Sequence, residues 1–203
     1  MSKITGLCNF CGTGCGHVLS VDDGVIQGVF ARAGHPVSRG KLCVRGWHIH
    51  ELLRTPERIT KPAVRGEGGV FSPLSHEEAL SLAAGRLARY RGSEIAFWAS
   101  PRASNEDNYV LAKLARTVFQ SNNISLTSES GHGNAVGVFM EGAGRPFLPV
   151  HIPDIRKSGV LLVVGGDVAK QNPIVASELH FGARQGADLI AISSRSTQIA
   201  KLS

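Results

Sequence analysis

The four cysteines of the chain have the spacing of a metal centre. They are Cys8, Cys11, Cys15 and Cys43, and they follow the pattern C-x2-C-x3-C-x27-C. A cubane iron–sulfur cluster takes four thiolates, and three from one short turn with a fourth from a distant position suit its geometry. We therefore predict that these cysteines bind a [4Fe–4S] cluster.

Two other uses of the cysteines stay open from the spacing alone. Structural zinc sites usually contain two short C-x2-C pairs, and Cys43 has no second cysteine beside it. Disulfide frameworks are typical of small secreted domains, whereas this chain has 203 residues. Both alternatives match the sequence less well than the cluster does.

Length and composition exclude several classes of protein. With 42% hydrophobic residues, the chain has enough apolar material for one core and a small additional lobe. No purely apolar run exceeds five residues, as in 160–164, so we expect no membrane span. Residues 1–7 lack the apolar core of a secretory signal, and we therefore expect a cytoplasmic protein.

The net charge gives a weak indication of partners. It is +6, but the 22 Lys and Arg residues are scattered and form no basic run of the kind that follows a phosphate backbone. We therefore predict no nucleic-acid binding. The positive surface instead suits acidic partners or a cofactor that carries phosphate.

The first part of the chain is predicted to be a small β-rich lobe that binds the cluster, residues 1–54. Residues 17–21 and 25–31 alternate apolar and polar positions around Asp22-Asp23-Gly24, and Asp-Gly between such runs predicts a β-hairpin. The loop that follows brings Cys43 back to the other cysteines. Because the core of this lobe is thin, the metal is expected to supply much of its stability.

The remainder, residues 55–203, is predicted to be an α/β domain. Ser75 and Glu78 form a capping box that opens a helix extending to about Tyr90. The further predicted elements, in chain order, are a strand at 95–99, a helix at 105–120, a strand at 160–164, a helix at 173–185 and a strand at 188–192. Alternating strands and helices indicate a partial doubly wound parallel sheet with flanking helices. Since three strands are few for such a sheet, we expect either that another chain completes it or that its open side docks against a partner.

Several segments, in order, resemble the N-terminal part of molybdopterin oxidoreductases, formate dehydrogenase catalytic subunits in particular. Beyond the cysteine spacing, these segments are GKLCVRG at 40–46, TPERITKP at 55–62, SHEEAL at 75–80, residues 105–109, GHG at 131–133, residues 165–173 and residues 194–197. The resemblance covers nearly the whole chain. It corresponds to the first third of a family member, so the chain resembles a truncated form.

The resemblance implies a cofactor set and one further site residue. Family members hold one four-iron cluster near the N-terminus and a molybdenum or tungsten ion bound by two pterin guanine dinucleotides. Arg45 stands where the family places a basic residue between cluster and pterin, and its charge would favour the reduced cluster. Residues 165–167 and 171–173 stand where the family grips a pterin dinucleotide.

The sequence also departs from the family pattern. A cysteine or selenocysteine that binds the metal directly precedes His-Gly in formate dehydrogenases, whereas Gly131 precedes His132 here. Ser130 or Glu129 would offer an oxygen ligand only if the register shifts. In addition, residues 193–195 read Ser-Ser-Arg where the family usually has Asp-Pro-Arg. The pterin cofactor with molybdenum or tungsten is therefore less favoured than the cluster alone.

These features predict an iron–sulfur electron-transfer subunit of a multi-subunit oxidoreductase complex. It would relay electrons between redox subunits of a hetero-oligomer, and no residue is assigned a catalytic role. The alternative is the N-terminal chain of a split formate dehydrogenase-like molybdopterin enzyme, whose active site another subunit completes. A third hypothesis is a structural remnant that only scaffolds a complex.

Overall fold

The computed structural model describes residues 1–126, 129–146 and 150–203, and of residues 129–131 it describes the backbone alone. Contacts divide the chain into two units. The first combines Met1–Leu53 with Val136–Ser203, and the second is Arg54–Ala135. The sequence places a boundary at residue 54, whereas the structure also joins the N-terminal lobe to the last third of the chain.

The described residues contain nine strands and six α-helices. The strands are β1 Ser2–Leu7, β2 Gly16–Asp22, β3 Val25–Ala31, β4 Ala63–Arg65, β5 Phe71–Pro73, β6 Phe97–Ala99, β7 Ile124–Leu126, β8 Val160–Val164 and β9 Asp188–Ile192. The helices are α1 Val44–Trp47, α2 His76–Leu87, α3 Asn105–Lys113, α4 Glu129–Ala143, α5 Val168–Gln171 and α6 Pro173–Arg184.

The N-terminal lobe is a three-stranded antiparallel sheet in the order β1-β2-β3. The predicted hairpin is confirmed, since Asp22 pairs with Val25 across a two-residue turn. The sequence did not reveal β1. This edge strand is almost entirely exposed and lacks the alternation of a half-buried strand. Residues that follow β3 return through a loop to α1 and to a short 3-10 turn, Ile49–Leu53.

The last third of the chain forms a β-α-β arrangement in the same unit. β8 and β9 pair in parallel along all five residues, as Val160↔Asp188 through Val164↔Ile192, and α5 and α6 connect them. The predicted strands and the 173–185 helix are confirmed here. α6 packs its Ala176 and Leu179 against Leu161 and Leu189 of the two strands, and this cluster is the larger core of the unit.

The second unit contains a small hairpin, the helices α2 and α3, the start of α4 and a second parallel pair. β4 and β5 are antiparallel, and β6 and β7 are parallel. The predicted capping box is confirmed, because the Ser75 hydroxyl accepts from the Glu78 N–H while the Glu78 carboxylate accepts from the Ser75 N–H. α3 continues as a π-helical turn, Leu114–Val118, that buries Ala115.

The α/β class with a β-rich N-terminus is confirmed, but the parallel strands are arranged differently from the expected single sheet. In the part of the chain that the structure describes, they form two separate pairs, β6–β7 and β8–β9. β7 escaped prediction because it has three residues, too few for a periodicity to emerge. None of the described helices combines the length and the apolar character that a membrane crossing requires.

Candidate metal centre

The β1–β2 hairpin brings the first three cysteines together. Cys8 directly follows β1 and Cys15 directly precedes β2, so the end of the ladder places them side by side. The N–H of Cys8 donates to the carbonyl of Cys15 at 2.8 Å. Cys11 lies in the connecting turn, where its Sγ donates to Thr13 Oγ1 at 3.5 Å. A local feature of the chain therefore positions three of the four thiols.

The loop that returns Cys43 is attached to the start of β2. The Gly16 N–H donates to Ser38 Oγ at 3.2 Å, and the Ser38 N–H donates to Nδ1 of His35 at 3.3 Å. The His35 ring covers Gly16 so closely that a Cβ there would lie 2.5 Å from a ring carbon. Gly16 is thus required for close approach between the loop and the hairpin.

Cys43 packs against the cluster that contains Cys8 and Cys15, and Cys11 is near enough to raise the pKa of both. All four cysteines are free, which excludes a disulfide framework in this structure. Burial raises the pKa of Cys8, and raises the pKa of Cys15 to about 11. The charges of the other cysteines add to both shifts. Cys43, distant in sequence, is among the cysteines that affect each of these pKa values, so the loop brings it near them.

Cys43 has the opposite electrostatic environment. Burial alone would raise its pKa, but the backbone N–H groups of Gly46 and Arg45 and the Arg45 guanidinium bring the pKa of Cys43 below its ordinary value of 9.0. These donors come from α1, which begins directly after Cys43. The environment of Cys43 thus favours the thiolate, the form in which cysteine binds metal.

The donor set, four free cysteine thiols, is that of a four-iron cluster. A tetrahedral zinc ion with bonds of about 2.3 Å holds its sulfurs about 3.8 Å apart. Among the described residues, no three Cys, His, Asp or Glu side chains converge in a way that would hold one ion. A cubane places iron and sulfide between its cysteines and so accepts a wider set. If a four-iron cluster binds here, Cys8, Cys11, Cys15 and Cys43 are the residues to hold it.

Apolar side chains surround the thiols. Ile174, at the start of α6, is 5% exposed and packs in one cluster with Cys8 and Cys15. Phe10, Leu42 and Ile49 complete this shell with partly buried surfaces. Such a shell limits water around a cluster, which is one of the means by which a protein sets its reduction potential.

Arg45 connects the cysteine site to the α/β part of the same unit. Its Nη2 donates to the carbonyls of Lys170 and Gln171, at 3.1 Å each, while its charge acts on Cys43. The carbonyls lie at the end of α5. The structure thus places Arg45 between the fourth cysteine and the segment that the family resemblance associates with a pterin. Its role in tuning a cluster stays a prediction.

The residues associated with a pterin lie where the β8–β9 pair ends. Gly165 and Gly166 follow β8 with φ of 72° and 45°, a left-handed conformation that suits glycine. The Gly165 N–H donates to the Ile192 carbonyl at 2.8 Å, so this loop is adjacent to 193–195, which follow β9. Ligands of open α/β sheets bind at such carboxyl ends. This loop is therefore the place in the β8–β9 arrangement where a ligand is expected.

The positions of the shifted oxygen ligand, Glu129 and Ser130, fall on α4. His132 lies in the same helix, and it is exposed. The side chains of Glu129 and Ser130 lie outside the described residues, so the hypothesis of a shifted oxygen ligand is not tested by the structure.

One buried charged group was not predicted from the sequence. Glu178, on α6, has a side chain that is 6% exposed, and it forms ion pairs with Lys41 and Arg156. A signal for it exists in the sequence. Ile174, Glu178 and Phe181 share one helical stripe at i, i+4 and i+7, and a carboxylate in an otherwise apolar stripe requires a partner.

Two family models match this chain, in adjacent segments. Residues 1–54 match the Molybdopterin oxidoreductase Fe4S4 domain, which contains all four cysteines. Residues 58–202 match Molybdopterin oxidoreductase. Together they support a four-iron cluster and extend to the regions that this family uses for its pterin cofactor.

Individual relatives agree with these matches. The F420-dependent formate dehydrogenase 2 subunit alpha of Methanococcus maripaludis is 35% identical over 97% of this chain, which covers 29% of the relative. Formate dehydrogenase H of Escherichia coli is 30% identical over 100% of this chain and 30% of its own length. The periplasmic nitrate reductase of Desulfovibrio desulfuricans is 27% identical over 98% of this chain, which covers 27% of that relative. The chain therefore spans less than a third of the relatives it matches.

Proposed function

Since this chain belongs to the molybdopterin oxidoreductase family, we propose that it binds one [4Fe–4S] cluster through Cys8, Cys11, Cys15 and Cys43 and relays electrons within an oxidoreductase complex. One observation carries the proposal. Cys8, Cys15 and Cys43, from two separate segments, pack together as free thiols among apolar side chains, and Cys11 lies in the turn between Cys8 and Cys15; all four lie inside the segment that matches an Fe4S4 domain.

Four thiols leave a cluster no open coordination position. A catalytic cluster or metal keeps one position for substrate or water, whereas a fully ligated one exchanges only electrons. The apolar shell of Ile174, Phe10, Leu42 and Ile49 serves the same purpose, because it keeps substrate and water from the iron. Electron relay is thus the role that this ligand set supports.

Arg45 is proposed to tune the relay. The reduced cluster carries one more negative charge than the oxidised one, and a guanidinium beside Cys43 stabilises that charge. Because the same guanidinium is bound to the Lys170 and Gln171 carbonyls, its position relative to Cys43 is defined by two hydrogen bonds.

Other redox subunits are the proposed partners. Relatives carry the name subunit alpha, which is a statement about those proteins. In this chain, the face of β8 opposite α6 exposes Val160, Leu162 and Val164 by 60% or more, and apolar surface of this kind is commonly covered by a partner. We place the complex in a reducing compartment such as the cytoplasm, where thiols stay free for cluster assembly.

Metal analysis tests the proposal directly. The chain is purified without oxygen, its iron and acid-labile sulfide are quantified, and its electron paramagnetic resonance spectrum is recorded after dithionite reduction. We expect four irons and four sulfides per chain and a one-electron signal. Zinc, or no metal, in the anaerobic protein would overturn the proposal.

A second candidate is a formate dehydrogenase-like molybdopterin enzyme whose active site another polypeptide completes. It is favoured by the 35% identity to a formate dehydrogenase subunit over 97% of this chain and by the glycine loop where the β8–β9 pair ends. One measurement distinguishes the two candidate functions. Molybdenum or tungsten at stoichiometry in the native complex, with a fluorescent pterin after oxidation, supports the enzyme, and their absence supports the relay.

A further inference from the structure

α6 presents two different faces to its surroundings. Ala176 and Leu179 pack against the β8–β9 pair. The opposite stripe, Ile174, Glu178 and Phe181, faces the cysteine lobe instead, since Ile174 packs on Cys8 and Cys15 and Glu178 pairs with Lys41. One helix therefore contacts both the sheet of the α/β part and the loop that carries Cys43.

Glu178 is the only buried acidic side chain among the described residues. Its Oε1 accepts from Lys41 Nζ and, at 3.2 Å, from Arg156 Nη2, while its Oε2 accepts from Arg156 Nε. Both carboxylate oxygens are thus engaged by cations. A buried carboxylate that loses such partners is strongly destabilising, so the three groups must be positioned together.

Phe181, one turn along α6, adds a second contact to the same two cations. The Arg156 guanidinium lies 4.2 Å from the centre of its ring, and Lys41 Nζ lies 5.2 Å from it. Cation–π attraction at these distances holds the cations over the ring as well as against the carboxylate. Lys41 is therefore fixed from two directions.

Lys41 lies close to Cys43 in the sequence, so a contact that fixes Lys41 also restrains Cys43. Lys41 precedes Cys43 by two residues, and Arg45, bound to the carbonyls of Lys170 and Gln171, follows Cys43 by two. The residues two positions before and two positions after Cys43 are therefore bound to α6 and to α5, respectively. The first three cysteines depend on the β1–β2 hairpin, whereas the fourth depends also on groups more than a hundred residues away.

We propose that Glu178 is a positioning residue for Cys43: by holding Lys41, it keeps the fourth thiol against the other three and so decides whether the cluster retains its fourth iron. This inference rests on the proposed function, in which the four cysteines bind the cluster. Glu178 touches neither thiol nor iron, and it acts through Lys41. Its loss is expected to leave the three hairpin ligands in place.

The test compares Glu178→Gln with the wild-type protein and with Lys157→Gln. Lys157 is a matched control, because it adjoins Arg156 but forms an exposed pair with Asp154. Each protein is treated anaerobically with ferricyanide. One ferricyanide removes one electron from [4Fe–4S]2+, which then releases one Fe2+ and leaves [3Fe–4S]+. We expect Glu178→Gln to form the three-iron signal several-fold faster than wild type, and Lys157→Gln to match wild type.

Thiol labelling separates positioning from general unfolding. Iodoacetamide is added after the oxidation, and the modified cysteines are identified by mass spectrometry. We expect Cys43 alone to be labelled in Glu178→Gln, since only the fourth ligand is released. Equal labelling of Cys8, Cys11, Cys15 and Cys43 would show collapse of the whole lobe and overturn the inference, as would a rate equal to that of wild type.

A double variant provides a third test, of whether Glu178 acts through Lys41. If Glu178 acts through Lys41, then Lys41→Met should accelerate iron loss as Glu178→Gln does, and the combination should add little. Additive effects would overturn the inference. Absence of iron from the wild-type protein would instead defeat the proposed function, so the two failures are distinguishable.

Discussion

The two segments that form the cysteine site differ in how they are held. Cys8, Cys11 and Cys15 belong to the end of one hairpin, and Cys8 and Cys15 are buried thiols whose pKa burial raises. Cys43 lies on a returning loop that long-range contacts hold, and its pKa is lowered by Arg45 and by backbone N–H groups despite burial. Local structure thus positions three of the four thiols, and tertiary contacts position the fourth.

The strongest test of this difference removes one ligand from each segment. Cys11→Ala should abolish the cluster and its visible absorbance, because the hairpin turn then lacks a ligand and the thin lobe loses its metal. Cys43→Ala should retain a three-iron cluster on the remaining thiols. Iron content and the spectrum of the oxidised protein distinguish the two. A three-iron cluster in both variants, or in neither, would contradict the comparison.

Thiol reactivity in iron-free protein tests the electrostatic half of the comparison. The pKa of Cys43 lies below 9.0 and that of Cys15 is about 11, and the thiolate is the reactive form. As the pH rises from 7, Cys43 should therefore become reactive first, while Cys15 stays protonated until the pH approaches 11. Near pH 8 we therefore expect iodoacetamide to modify Cys43 faster than Cys15.

The control for this experiment is Arg45→Met, which should slow labelling of Cys43 and leave Cys15 unchanged. If all four cysteines react alike at every pH, the folded environment does not distinguish them, and the electrostatic contrast is wrong.

Gly16→Ala tests the attachment between the two segments. The added Cβ would lie 2.5 Å from the His35 ring, and relieving such an overlap costs about 1–3 kcal/mol. We expect a lower temperature for thermal loss of the cluster. Gly12→Ala, in the turn that precedes β2, is the control, since its Cβ would meet no atom within 4 Å. Equal melting of the two variants would show that the loop does not depend on this contact.

The smallest expected effect is that of Arg45→Met on the reduction potential of the cluster. Removing a positive charge near Cys43 disfavours the reduced cluster, so the reduction potential should fall. A loss on the order of 1 kcal/mol corresponds to about 40 mV for a one-electron couple. Redox titration measures the shift, with Lys3→Met on the exposed face of β1 as the control. A rise in potential, or an equal change in the control, would contradict the proposed tuning.

Much of the fold followed from local patterns. The hairpin at Asp23-Gly24, the capping box at Ser75, and the strands 160–164 and 188–192 were all predicted, because each depends on spacing or periodicity over a few residues. The cysteine pattern likewise predicts a ligand set, and the match of residues 1–54 to an Fe4S4 domain supports it. β1 and β7 were missed, since an exposed edge strand and a three-residue strand carry almost no periodic signal.

The sequence alone determined which residues are available to a cluster and which segments become strands and helices, because both are encoded over short distances. Only the tertiary structure decided that the parallel strands form two pairs, that Glu178 meets Lys41, and that Cys43 differs in pKa from Cys8 and Cys15. Each of these depends on groups brought together from distant parts of the chain, and burial and charge act through distance in space rather than along the sequence.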